Sequence, residues 1–164
     1  MMISKAMAKK LNDQINNEFA SFWIYQQMGY AFDEMGLPIF AKFLYKQAGE
    51  EREHGEKIGK YLLDQGCDVK LAALPKPKGN YKSAADILTE AYNHEKKITD
   101  DWNKIADLAV REKDHASRVL ADWFIEEQVE EVSTMAEVLG MVKMAKTDGQ
   151  ILMLEGRLYR MIQG

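Results

Sequence analysis

Proline occurs only at 38, 75 and 77 in 164 residues, and the intervals between turn signals are filled largely with Leu, Met, Ala, Glu, Lys and Gln. Proline breaks helices and those six residues favour them, so the chain is expected to be all-α with long helices. Ser4 can cap a first helix running to about Asp33. Gly36-Leu37-Pro38 then breaks it and places Pro38 in the first turn of a second helix. That helix is expected to reach about Gln65, with Gly66 as a left-handed C-cap. Ser83 with Asp86 resembles a capping box opening a third helix to about Arg111, and Asp114 can cap a fourth to about Lys143. Thr147 with Gln150 caps a short fifth helix over about 148–162. Gly49, Gly55 and Gly59 lie inside the second helix at about 1 kcal/mol each relative to Ala, so packing is expected to require them.

Residues 66–81 carry Pro75, Pro77, Gly79 and Asn80 and no helical period, which marks an extended connection. Sixteen residues at about 3.3 Å each reach about 53 Å, against about 42 Å for a 28-residue helix, so the segment can run the length of a bundle. The expected architecture is a single domain over 1–164. A four-helix bundle occupies about 4–143, with a lengthwise crossover between helices two and three and an extra C-terminal helix. That fifth helix is too short to stand alone, so Ile151, Leu154, Leu158 and Met161 need a surface to bury.

Charge and composition narrow the partners. Lys plus Arg number 22 against 26 Asp plus Glu, net −4, so no global basic field favours nucleic acid or anionic lipid. The uncharged apolar stretch from Phe19 to Phe32 is too short and too polar to span a bilayer, and the N-terminus lacks the apolar core of a secretory signal. Cys67 stands alone, which excludes an intramolecular disulfide and a cysteine-based zinc site and fits a reducing cytoplasm.

The core stripes are interrupted by acid. Helix one carries Leu11, Ile15, Glu18, Phe22, Tyr25, Gly29 and Phe32 at alternating four and three spacing. Helix two carries Phe40, Leu44, Gln47, Glu51, His54, Ile58 and Tyr61. Helix three gives Ala91, Glu95, Ile98, Trp102, Ile105 and Ala109, and helix four gives Leu120, Phe124, Glu127, Glu131, Thr134, Val138 and Met141. Counted from one end of the bundle, Glu18, Glu51, Glu95 and Glu131 fall at one level. Several unpaired buried carboxylates would exceed the net stability of a domain, about 5–15 kcal/mol, so a cation must neutralise them. Carboxylates with an imidazole suit iron or manganese. Tyr25 reads equally as a core aromatic or as a phenol serving a ligand carboxylate. Trp102 and Trp123 read as packing, and His94 and His115 as surface.

In combination these motifs resemble the bacterial and archaeal non-haem ferritins along nearly the whole chain. They are Asn16-Asn17-Glu18 through Ile24-Tyr25, Glu50-Glu51-Arg52-Glu53-His54, Tyr92-Asn93-His94-Glu95, and Trp123-Phe124-Ile125-Glu126-Glu127-Gln128-Val129-Glu130-Glu131. The resemblance implies a ferritin-like bundle with Glu18, Glu51 and His54 on one iron, and Glu51 bridging to a second held by Glu95 and Glu131. Gln128 and Tyr25 would lie beside them. It implies a third iron near Glu50, Glu127, Glu130 and Glu131, ferroxidase activity with O₂ or H₂O₂ as acceptor, and storage of the mineral in a shell of 24 copies. No second Glu-x-x-His occurs on helix four and Arg52 follows Glu51, so no haem is expected. Arg118 and Ala121 stand where animal ferritins place the acids of their three-fold pores, which puts an acidic iron pore in doubt. The rival readings are a di-iron or di-manganese redox enzyme and a metal-free structural bundle.

Overall fold

The computed structural model describes residues 2–163. These form α1 (Lys5–Glu34), α2 (Pro38–Asp64), α3 (Ala84–Glu112), α4 (His115–Met144) and α5 (Asp148–Gln163). No strand is present among the described residues. The sequence signals act where expected, within one or two residues. Ser4, Ser83 and Asp114 each accept a hydrogen bond from a first-turn amide, those of Met7, Asp86 and Ser117, so orphan N–H groups are satisfied. Thr147 does the same for Gln150. Gly36 (φ +75°) and Gly66 (φ +71°) take the left-handed conformation that ends α1 and α2.

α1 packs against α2 and α3 against α4, the two pairs meeting mainly through α1 and α3. Two helical glycines explain the close approach of the first pair. A Cβ on Gly29 would lie 2.2 Å from the Tyr45 ring and one on Gly55 2.7 Å from the Phe19 ring, so neither position has room for a side chain. Gly59 sits against Ile15 at 3.2 Å, but nothing lies within 4 Å of the Cβ position of Gly49. Packing therefore accounts for two of the three glycines singled out in the second helix, and not for Gly49.

The crossover tracks α1 lengthwise. Asn12 donates to the Asp68 carbonyl and accepts from the Lys70 amide. One turn on, Asn16 donates to the Lys70 carbonyl and accepts from the Ala72 amide. Two side-chain amides four residues apart thus imitate the edge of a β-ladder and hold the strap by its main chain. Further along, Pro75–Lys78 line one cleft with Ile24 and Met28, and Lys82 and Ser83 line another with Met35.

The fifth helix finds its surface within its own chain. Leu158 is fully buried in the bundle's core, with Ile151, Leu154 and Met161 half-buried around it. Its other face leaves Leu152, Met153 and Tyr159 exposed, Met153 at 79%. Glu155 fixes the docking. The N-cap of α2, Leu37, has no capping side chain, and Glu155 Oε1 accepts from the amides of Ile39 (2.7 Å) and Phe40 (3.3 Å) in its place. A carboxylate at a helix N-terminus also gains from the helix dipole. Glu155→Ala is expected to lower stability by about 1–2 kcal/mol. Hydrogen exchange should then quicken at Ile39 and Phe40 before it does elsewhere in α2. Unchanged exchange there would show that apolar contacts alone dock α5.

The interior divides into two apolar clusters. One gathers Tyr25, Phe32, Phe40, Leu44, Ile87, Val138 and Leu158; the other gathers Leu11, Ile15, Ile58, Leu62, Trp102, Ile105 and Phe124. Neither includes an acid. The fully buried Glu18, Glu51 and Glu95 lie in the layer where the two clusters meet.

Candidate metal centre

Each long helix delivers carboxylate to that layer through a residue on its core-facing stripe. Glu18, Glu51, His54, Glu95 and Glu131 are all buried. One ligand atom each from Glu18, Glu51 and His54 lies within 4.8 Å of the others, and the same holds for Glu51, Glu95 and Glu131. Glu51 belongs to both groups. Among the described residues these are the two such constellations.

Neutral donors hold most of the carboxylates. Tyr25 donates its phenol proton to Glu95 Oε1, and the Gln128 amide donates to Glu95 Oε2 at 3.0 Å. The Gln47 amide reaches Glu131 Oε2 at 2.5 Å. Gln14 and Trp102 both donate to Glu18 Oε1, at 2.9 and 2.8 Å. The Nδ1 of His54 stands 3.4 Å from Glu51 Oε2. Two buried oxygens, Glu18 Oε2 and Glu51 Oε1, have no hydrogen-bond partner. They are carboxylate oxygens in the layer where the acids crowd, with no Lys or Arg paired to them, which is the donor chemistry a hard or borderline cation satisfies.

Electrostatics report the same crowding. Burial, then Glu18, Glu95 and Glu131, pushes Glu51 well above the usual carboxylate range. Glu131 is raised well above it by burial and then by Glu95 and Glu50. Glu95 is raised by burial, against the hydrogen bonds from Tyr25 and Gln128 that favour its charged form. Burial raises the Tyr25 phenol well above its ordinary value and lowers the His54 imidazole. A cluster of protonable acids beside an imidazole of lowered pKa can exchange protons for a cation.

Glu50, Glu127, Glu130 and Glu131, the set implied for a third iron, line one cleft of about 330 Å³ between α2, α4 and α5. Burial raises Glu50, and Lys46 Nζ, 3.8 Å from it, opposes that. The Glu127 side chain is 39% exposed, with Oε2 4.0 Å from His54 Nε2, and Glu130 is exposed.

Three expectations need correction. The buried stripe of α4 runs through Ala121, Phe124, Gln128, Glu131, Met135, Val138 and Val142. Glu127 and Thr134 lie one residue off it and are half-buried. His94 is half-buried and not a free surface residue: Ser21 Oγ is 2.7 Å from its Nε2, its ring stands edge-to-face with Tyr25, and burial lowers its pKa to about 4. Trp102 does more than pack, since its indole holds Glu18. At the two positions aligned with the pore acids of animal ferritins, Ala121 is fully buried and Arg118 pairs with Asp122 at 2.6 Å. Gln14 and Trp102 had no individual signal as ligand supports; Gln47, a polar residue on an apolar stripe, had one.

No helix among the described residues is long and apolar enough to cross a membrane. Residues 8–145 match the model of the Ferritin-like domain. The chain is 35% identical over 153 residues to a probable bacterial non-heme ferritin-like protein of Haemophilus influenzae, covering 93% of each. It is 35% identical over 133 residues to the bacterial non-heme ferritin of Staphylococcus haemolyticus, covering 81% of this chain and 80% of that one. Its backbone superposes on the open pore ferritin of the hyperthermophilic archaeon Archaeoglobus fulgidus with a TM-score of 0.92 at 30% identity, over 95% of this chain and 97% of that one. With the domain model matched from the first helix through the fourth and relatives aligned along most of their lengths, the chain belongs to the ferritin family of iron-storing proteins.

Proposed function

We propose that this chain is one ferritin-like domain over residues 1–164, and that it oxidises Fe(II) to Fe(III) at a pair of sites within each subunit. The mineral would be stored in a shell of 24 copies, about 450 kDa, in the cytoplasm. The observation that carries the reading is Glu51, a fully buried carboxylate shared by two ligand groups and left with one unpartnered oxygen.

Ferrous iron is the substrate, and O₂ or H₂O₂ the acceptor. With O₂, two ferrous ions lose one electron each and dioxygen takes up the pair with two protons, leaving as hydrogen peroxide. Glu18 and His54 hold one iron, Glu95 and Glu131 the other, and Glu51 bridges. Tyr25 and Gln128 orient Glu95, and Gln47 orients Glu131. Acids that are protonated in the metal-free protein release those protons as iron binds. Glu50, Glu127, Glu130 and Glu131 take a third iron in the adjoining cleft. The exposed face of α5, with Leu152, Met153 and Tyr159, supports self-association, since apolar surface of this kind is covered in an assembled shell.

Aerobic addition of Fe(II) to the purified protein, followed by gel filtration and measurement of iron carried with it, tests the reading. Hundreds of soluble irons per assembly are expected. Two or fewer per subunit would replace storage with a two-iron enzyme, and a stable monomer or dimer in light scattering would remove the shell.

A further inference from the structure

Glu18 is held differently from the other acids of the layer. Both of its donors converge on a single oxygen: Oε1 accepts from the Gln14 amide and from the Trp102 indole, while Oε2 is buried without a partner. The Trp102 ring is itself immobilised. It is fully buried and stacks on Phe124 with ring centres 3.8 Å apart and planes within 8°. Phe124 in turn stands edge-to-face with His54 at 5.3 Å. One aromatic pair therefore braces both Glu18 and His54. Glu95 and Glu131 rest instead on a phenol and two buried amides, Tyr25, Gln128 and Gln47.

We infer that Trp102 is a positioning residue for the Glu18–His54 half of the site: with Gln14 it engages Oε1, so that Glu18 presents Oε2 alone to a metal ion. The inference rests on the metal-binding reading above and deepens it. Ligation through both oxygens would take Oε1 away from two buried N–H donors, and each donor left unpaired carries its full desolvation penalty. An indole N–H donates and never accepts, so Trp102 cannot bind the metal or take a proton from the carboxylate. Its sole polar action here is to fix which oxygen is offered. The two halves of the site consequently differ in how oxygens are engaged: both donors to Glu18 meet one oxygen, whereas Glu95 accepts from Tyr25 on one oxygen and from Gln128 on the other.

Trp102→Phe keeps an aromatic ring against Phe124 and deletes the N–H. Anaerobic Fe(II) titration of the metal-free assembly by calorimetry resolves the sites, and Co(II) absorption reports coordination number. In the variant, one site is expected to weaken roughly tenfold while the other holds, a size usual for loss of a ligand's hydrogen-bond support. The Co(II) bands should change in intensity as Glu18 gains freedom to ligate through both oxygens. Gln14→Leu, which releases the same oxygen from the other side, should reproduce both effects and carries the test if Trp102→Phe does not fold. A lowered melting point with both affinities and the Co(II) spectrum unchanged in the two variants would make Trp102 a packing residue only and overturn the inference. A parent that binds no Fe(II) would defeat the metal-binding reading itself.

Discussion

Glu51→Ala is expected to lower the initial rate of Fe(II) oxidation by at least about a hundredfold, since it removes the carboxylate both ligand groups share. Loss of even a ligand's supporting hydrogen bond costs 10–100-fold in typical metal sites, and a shared ligand affects two ions at once. Glu127→Ala is the contrast: its side chain is 39% exposed and only approaches His54 at 4.0 Å. It should keep the first rapid phase and alter later turnover. Stopped-flow absorbance of Fe(III) on the first two ions per subunit separates the two. Equal initial rates for Glu51→Ala and the parent would remove the bridging role, provided circular dichroism shows both folded.

The metal-free protein should lose stability as pH rises above neutrality and regain it when Fe(II) is added anaerobically. Glu51, Glu95 and Glu131 have folded values above the ordinary 4.5, first through burial. A group raised in the folded state contributes stability that is complete below its unfolded value and lost as pH climbs through its folded value. The histidines have the opposite sign. His54 and His94 are lowered from 6.5, so their support is present above that value and is lost only as pH falls, for His94 towards about 4. Above about pH 6.5 these histidine shifts no longer contribute to the trend, and the melting point of the metal-free parent should fall as pH climbs toward the raised values of Glu51 and Glu131. Glu51→Gln, which replaces an acid that the fold favours in its protonated form with a neutral isostere, should flatten that fall and raise the midpoint on the alkaline side by several degrees. Saturating Fe(II) at a hundred times its Kd adds about 2.7 kcal/mol to the parent, at about 2–4 °C per kcal/mol for a chain of this size. Glu51→Gln should gain much less. A parent that gains nothing from metal, or no more than the variant, would show that these acids are not a shared site.

Most of the fold was legible because local signals and packing agree. Ser4, Ser83, Asp114, Gly36 and Gly66 punctuate the chain where the structure ends its helices, and the stripes of α1 to α3 keep their register around the acid layer. α4 misled by one residue because two adjacent heptad stripes share Phe124, Glu131 and Val138. Glu127 and Thr134 complete one stripe, and Gln128 and Met135 complete the other. The apolar Ala121, Met135 and Val142 favour the second, a signal outweighed by the acidic character of Glu127. His94, about 100° from Glu95 around α3, was assigned to solvent as though one face of that helix were buried. α3 also meets α1, so a second flank is covered at Ser21 and Tyr25. The supports of Glu18 were not legible: Gln14 and Trp102 are 88 residues apart, and only tertiary contact puts their N–H groups on one oxygen.

Asn12 and Asn16 of α1 bind the strap between α2 and α3 solely through its amides and carbonyls. That recognition is blind to side-chain identity at the exposed Asp68, Lys70 and Ala72, whereas Val69 between them packs against the core, and proline at 70 or 72 would delete an amide on which Asn12 or Asn16 relies. At its exposed positions the strap can accept new charges or aromatics without touching the layer of acids beneath, provided Val69 stays apolar. Those positions can be rewritten by selection or a protein engineer while the bundle keeps its register.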